Sequence, residues 1–361
     1  MAASRSRAAK KVVYLWGAGA TQAEATFLGA RPVNLLMRDH NDLGDGISTR
    51  MLRRFAPKWR RFVGEEVDID IEKVISLLAG SSVAMLVDLA ERMRRCYFLE
   101  VCQSLRLAGL GRPELAVGLL EMHRHPVFRK DVELLTGIIT TNHDGLLQVA
   151  SQEVFGEVNL GFPFESGDLT PSVSLLTPPI LQVHGSFTWR FAVPMRVTGR
   201  GRLGYSSDAS WIPPAILKES KHYPFNKLVG LAYELLARRC DVLRIVGCSL
   251  TQNDWNILAL IFNAQRHHEG VTGAPFRIEI VSSHQGGEAI KKECSYLKNV
   301  VPIGYLTEGA FAAYKEGQIS GAMRNVFAYW LTEKLSYHRQ RKEFGEGALP
   351  GTMARIVGEA R

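Results

Sequence analysis

Four short polar clusters carry residue types that can do chemistry, and each follows an apolar run. Thr140-Thr141-Asn142-His143-Asp144 sets an amide and a carboxylate two residues apart. Such a pair can orient a hydroxyl or a water, and it can equally cap the helix that follows. His184-Gly185-Ser186 offers an imidazole, the side chain whose ordinary titration near neutrality suits a general base, the alternative being a hydrogen-bonded core histidine. Gly17-Ala18-Gly19-Ala20-Thr21 presents backbone N–H groups at a helix start, as a phosphate requires, or forms a plain strand-to-helix turn. It lacks the third glycine of the Gly-x-Gly-x-x-Gly dinucleotide fingerprint, which is therefore not supported. Gly247-Cys248-Ser249 reads as a further turn of the same kind.

The elements that must position these clusters are legible from periodicity. Val12 to Trp16 is a short β-branched and aromatic run that stops in the first glycine turn. From about 50 to 135 the pattern becomes helical: Ile71, Val74, Ile75 and Leu78, then Met85, Leu86, Leu89 and Met93, recur at three- and four-residue spacing, and a further helical stretch runs from Cys96 to Leu107. Strands return at Gly137 to Thr141 and Ile180 to Val183, with a helix from Gly145 to Val154 between them. Residues 194 to 214, rich in Gly, Pro, Arg and Ser, read as a surface loop. A helix over 225 to 239 shows Leu228, Leu231, Leu235 and Leu236 on one face; Val242 to Val246 is a strand, Ile257 to Gln265 a helix, and Phe276 to Val281 the last clear strand. Strand, turn and helix in repetition imply an α/β fold with a mainly parallel sheet whose ligands gather at the strands' carboxyl ends, where all four clusters fall.

Composition narrows the setting. The 361 residues include 44 basic and 36 acidic side chains, a net +8, with 46% hydrophobic residues, which excludes disorder, collagen and coiled coil. The positive charge is local: Arg5, Arg7, Lys10 and Lys11 have no acidic neighbour, nor do Arg50, Arg53, Arg54, Lys58, Arg60 and Arg61. Such segments serve an anionic small molecule, an acidic partner or a polyanion. No aromatic stacking pattern accompanies them, which disfavours direct nucleic-acid binding. Five cysteines, an odd number without a C-x-x-C pair, argue against a disulfide framework and a structural zinc and for a reducing, cytoplasmic setting. The run Val12 to Trp16 is too short for a secretory signal, and no 18-residue apolar run spans a membrane.

Taken together, the clusters resemble the sirtuin family. Thr-Thr-Asn-His-Asp-Gly-Leu at 140–146 is similar to that family's Thr-Gln-Asn-Ile-Asp-Gly-Leu, and Val183-His184-Gly185-Ser186 to its Leu-His-Gly-Ser. Gly247-Cys248-Ser249-Leu250 resembles Gly-Thr-Ser-Leu, and Gly17-Ala18-Gly19 the opening Gly-Ala-Gly; all four stand in the family's order, over roughly residues 12 to 283. The Gly-Ile-Pro-Asp-Phe-Arg of the deacylases and their two zinc-holding C-x-x-C pairs are missing. In their place stand Ile69-Asp70-Ile71-Glu72, His-Gly-Ser-Phe-Thr-Trp at 184–189, Ile212-Pro213-Pro214 and Gly-Cys-Ser-Leu-Thr-Gln-Asn-Asp at 247–254. This is similar to the zinc-less sirtuin-like domain of prokaryotic anti-phage defence systems, whose members hydrolyse NAD.

That resemblance implies a Rossmann-like, mainly parallel sheet with a helical insertion at about 50–135 and C-terminal helices, over residues 1–343, followed by a tail at 344–361. It implies NAD as substrate, no zinc, and cleavage to nicotinamide and ADP-ribose. Asn142 would orient the nicotinamide ribose and the attacking water, His184 would be the general base, and Asp144 would support the ribose pocket or cap the helix. Gly17, Ala18, Gly19 and Thr21 would cradle the pyrophosphate. Gly247 and Ser249 would lie on the phosphate or ribose side, Gly185 and Ser186 beside the histidine, and Asp254 at the ribose hydroxyls. Ser282 stands where sirtuins usually hold the adenine ribose with asparagine. An unregulated NADase is toxic, so the resemblance also implies control by homo-oligomerisation or by a partner such as an ATPase, a helicase-like translocase or an Argonaute-type protein. A protein deacylase and a non-catalytic NAD or ADP-ribose sensor are the competing readings.

Overall fold

The computed structural model describes residues 9–21, 54–55, 57–58, 71–107, 113–124, 133–161, 177–190, 196–197, 209–215, 218, 220–273, 276–282 and 284–304. Among them the strands are β1 (Lys10–Trp16), β2 (Glu133–Thr140), β3 (Ile180–Gln182), β4 (Gly185–Arg190), β5 (Arg196–Val197), β6 (Ala209–Trp211), β7 (Val242–Val246), β8 (Arg277–Ser282) and β9 (Val300–Gly304). The helices are α1 (Ile71–Ala79), α2 (Ala84–Leu107), α3 (Glu114–Arg124), α4 (Leu146–Phe155), α5 (Phe225–Arg239), α6 (Trp255–His267) and α7 (His284–Glu293). A further helix begins at residues 18–21, directly after β1.

Six strands form one sheet in the order β3-β2-β1-β7-β8-β9, and every pairing within it is parallel. The chain winds outward from β1 through β2 to β3, then returns to β7 on the other side of β1. Winding thus reverses between β1 and β7, the place where doubly wound α/β folds take their ligands. The fold is α/β and Rossmann-like. Val12 to Trp16 are all buried, as a strand covered on both faces requires.

The two faces of this sheet differ. Val13 and Leu15, Leu243 and Ile245, and Ile278 and Ile280 share one face, where α5 (Leu228, Ala232, Leu235, Leu236) and α6 (Ile257, Leu258, Ile261, Ala264) complete an apolar core. Their alternates Tyr14, Arg244 and Glu279 point the other way. There the buried Arg244 guanidinium holds Glu133 through two bonds of 2.9 Å, Glu279 at 2.8 Å and the Tyr14 hydroxyl at 3.0 Å. The Tyr14 hydroxyl also meets His123 Nε2 of α3 at 3.0 Å. Burial works against the guanidinium's charge, but these partners outweigh it and hold Arg244 firmly protonated.

The helical insertion makes its own small core from Ile71, Val74, Ile75 and Leu78 of α1 and Leu89, Ala90, Met93 and Cys96 of α2. It joins the rest through aromatic rings. Phe98 packs edge-on to Phe187 of β4 at 4.8 Å between centroids, and Tyr97 stacks on Trp211 of β6 at 5.8 Å.

Several expectations are corrected. The two helical stretches expected around Met93 and Cys96 are one 24-residue helix, because no breaker separates them. The expected loop at 194–214 contains β5 and β6, which flank β4 in a small antiparallel sheet. β2 begins at Glu133, where that side chain meets Arg244. The sheet also has a further strand, β9, whose Pro302 is tolerated at a sheet edge. Arg5, Arg7, Arg50, Arg53, Arg60, Arg61 and the tail at 344–361 lie outside the described residues. No helix among those described is long and apolar enough to cross a membrane.

Candidate functional site

Strand register alone assembles the four clusters. Trp16 pairs with Val246 on one side and Thr140 on the other, and Thr140 pairs with Gln182. The residues that follow, namely Gly247, Gly17, Thr141 and Val183, therefore stand in one row along the carboxyl edge of the sheet.

At the centre of this row the glycines let two turns touch. A Cβ at Gly17 would lie 2.5 Å from the Gly247 carbonyl oxygen, and one at Gly247 would lie 2.1 Å from the Ala20 nitrogen. Gly247 also sits at φ +63°, in the left-handed region. The Gly17 amide donates to the Val246 carbonyl at 2.9 Å, Gly19 to Gly247 at 2.8 Å and Ala20 to Gly17 at 3.0 Å. The glycines thus bind the β1 turn to the β7 turn. Their amides are engaged within the protein, unlike the open phosphate cradle expected of Gly17 and Gly19. Ala18 is exposed at the start of the helix, and so is Ser249 beyond β7.

Asn142 and Asp144 are brought together by Thr21. Asn142 Nδ2 donates to the Thr21 hydroxyl at 2.9 Å, which donates in turn to Asp144 Oδ2 at 2.8 Å. Asp144 Oδ1 accepts the Leu146 amide at 3.0 Å, so this carboxylate, just before the Gly145 N-cap, satisfies the first amide of α4 while also holding Thr21. Thr21, expected at a pyrophosphate, joins the two side chains. Burial raises the Asp144 carboxyl above the usual range, against the lowering effect of its hydrogen bonds from Leu146, Thr21 and Asn142. Thr140 supports the loop by donating to the Trp16 carbonyl at 2.7 Å and accepting the Asn142 amide at 3.0 Å.

Comparison with protein-family models and with curated proteins finds no match for this chain.

His184 lies in the two-residue turn between β3 and β4 and is buried. Its Nε2 faces Asn256 Nδ2 at 3.4 Å, and the Thr141 backbone favours a proton on the ring. Burial, then the nearby Lys218 charge and His143, hold its pKa well below the usual imidazole range, so it is neutral at pH 7. His143 is likewise pushed down to about 3 by burial and Lys218. It stacks on Phe187 at 5.0 Å and meets Trp211 edge-on at 5.2 Å, and the Gly185 and His184 backbone partly offsets the lowering of its pKa. Gly185, at φ +78°, starts β4, and Ser186 ties that strand to the His143 carbonyl at 3.1 Å.

Asp254, expected at ribose hydroxyls, pairs with Lys218 Nζ at 2.9 Å, while Glu72 of α1 lies 3.8 Å from the same ammonium. Burial disfavours the Lys218 charge, yet Asp254 and Glu72 together hold its pKa above the ordinary lysine value. Ser282 ends β8 one strand beyond β7, with only its backbone described. The residues that sequence reasoning missed are Lys218 and Asn256. Neither lies in a motif, and their partners are 36 and 72 residues away. Among the described residues no group of three or more His, Cys, Asp or Glu side chains is placed to hold a metal ion.

Proposed function

We propose that this chain is an NAD glycohydrolase that releases nicotinamide and ADP-ribose. The observation that carries the reading is that Asn142, Asp144 and a neutral His184 follow adjacent parallel strands along one sheet edge beside the β1/β7 winding reversal. The C1′–N bond breaks with its electron pair leaving on the pyridine nitrogen, which becomes neutral, while the ribose passes through an oxocarbenium-like state. Water adds to C1′ and its proton goes to His184. A neutral imidazole is the form that can take that proton. Asn142, steadied by Thr21, orients the ribose and the water. The Asp144 carboxylate lies behind Thr21 and supports the ribose side of the pocket. Ala18 and Ser249, both exposed at the row of turns, are the groups offered to the phosphates.

The reading carries with it an NAD-depleting role in anti-phage defence in the cytoplasm, silent until a partner protein or self-assembly triggers it. The test is to incubate NAD with the purified chain, alone and assembled with the product of its neighbouring gene, and to separate the products chromatographically. Nicotinamide and ADP-ribose should form in equal amounts. Asn142→Ala and His184→Ala should each abolish their release while leaving the thermal transition in place. Normal turnover in both variants would sink the site assignment.

A further inference from the structure

The amide of Asn256 is oriented by its own backbone. Its Oδ1 accepts the Ile257 N–H at 3.0 Å in the first turn of α6. The amide nitrogen is thereby turned outward, and it faces His184 Nε2 at 3.4 Å. An amide nitrogen can only donate, so the Nε2 that faces it must present a lone pair. The Thr141 backbone favours a proton on the ring, as an accepting carbonyl does. The Asn256 amide therefore selects the tautomer with the proton on Nδ1, and an accepting Thr141 carbonyl is compatible with it.

We infer that Asn256 is a positioning residue that holds His184 in the tautomer with its proton on Nδ1 and its lone pair on Nε2. This rests on the proposed glycohydrolase reading for its consequence, but its geometry stands independently of that reaction. At 3.4 Å the bond is long and weak, so a water or a ribose hydroxyl can displace the amide from the Nε2 lone pair. Asn256 lies two residues after Asp254, so the single stretch 254–256 touches both Lys218 and His184. The charged and titratable groups around the ring are Lys218 with its partners Asp254 and Glu72, and His143 on the loop after β2. Lys218 and His143 both oppose a second proton on His184, and Asn256 decides where the single proton sits.

The test uses the full chain with 15N-labelled histidine, the His184 signals being assigned by their loss in His184→Asn. In the wild type at pH 7.5 the His184 Nε2 should carry the signature of an unprotonated nitrogen and Nδ1 that of a protonated one. Asn256→Asp keeps the shape and the acceptor for Ile257 N–H but demands a proton at Nε2. It should give a doubly protonated His184 and move the acid limb of the kcat profile upward by about one pH unit or more. Asn256→Ala should lower kcat about tenfold with KM little changed, the size of one lost hydrogen bond to a neutral group. A protonated Nε2 in the wild type, or unchanged His184 signals in Asn256→Asp, would overturn the inference. The nitrogen signals need no turnover. Failure of the glycohydrolase reading therefore appears in the NAD assay alone, and failure of the tautomer inference in the spectra.

Discussion

Gly247 is the residue whose substitution should disturb the site most for the smallest change in mass. Its φ of +63° penalises any Cβ, and that Cβ would also lie 2.1 Å from the Ala20 nitrogen, which cannot move without breaking its 3.0 Å bond to Gly17. Gly156 gives an internal control, since it has φ +76° after α4 but nothing within 4 Å of its Cβ position. Gly156→Ala should cost only the conformational part, about 1 kcal/mol, whereas Gly247→Ala adds overpacking of backbone on backbone for a total of about 3 kcal/mol. Calorimetry of the two variants side by side measures the difference, and equal losses would show that the turn-to-turn contact is loose. The sequence displayed both glycines of the β1 turn and that of the β7 turn, and a phosphate cradle was the natural expectation. What it could not display is that these turns face each other, because that follows from β1 pairing with β7 across more than 200 residues.

At the scale of elements, the ion group around Lys218 joins α1 of the insertion to the stretch that precedes α6. Its two acids are unequal, Asp254 at 2.9 Å and Glu72 at 3.8 Å. Removing the ammonium leaves a largely buried Asp254 carboxylate without its cation, so Lys218→Met should destabilise the fold by about 3 kcal/mol. Glu72→Gln leaves the shorter pair intact and should cost under about 1 kcal/mol. Thermal denaturation at pH 7.5 distinguishes them, and a Glu72→Gln loss as large as that of Lys218→Met would mean that the insertion, not Asp254, is what Lys218 serves. Most elements here were readable in advance: α5 spans the expected 225–239, and the strand ends bearing Asn142 and His184 fall where the apolar runs stop. Local periodicity sufficed because those elements bury one stripe or a whole run. It failed at β6 and β9, three and five residues long, whose pairing partners rather than their own composition make them strands. It failed for the same reason at Lys218 and Asn256, since a side chain's partner across the fold leaves no spacing to read.

The molecule as a whole stores several imidazoles in uncharged form, and this sets its response to acid. His123 under the Arg244 network and His143 in the aromatic cluster are both held down to about 3 by burial, then by Arg244 for the first and Lys218 for the second, and His184 lies well below its ordinary value. Each takes up its proton on unfolding at a higher pH than it would when folded. The stability they contribute is therefore complete above the unfolded value of 6.5 and falls as pH drops from there toward 3. Asp144 acts in the opposite sense, because its raised carboxyl pKa is a penalty at neutral pH that acid relieves, but it is one group against three. Below 6.5 His123 and His143 should each remove about 1.4 kcal/mol per pH unit down to about pH 3, and His184 adds to the loss, so a stability of about 5–15 kcal/mol should be largely exhausted on the way to about pH 3. Calorimetric unfolding at pH 5 in buffers of different ionisation enthalpy should then register at least two protons bound per molecule from His123 and His143. His143→Gln should remove one of these protons, because this histidine contacts Phe187 and Trp211 and stands apart from the Tyr14 hydroxyl that His123 meets. Proton uptake near zero at pH 5, or a stability flat from pH 7 to pH 4.5, would mean that these rings are charged in the folded chain, and a general base at His184 would lose its physical footing.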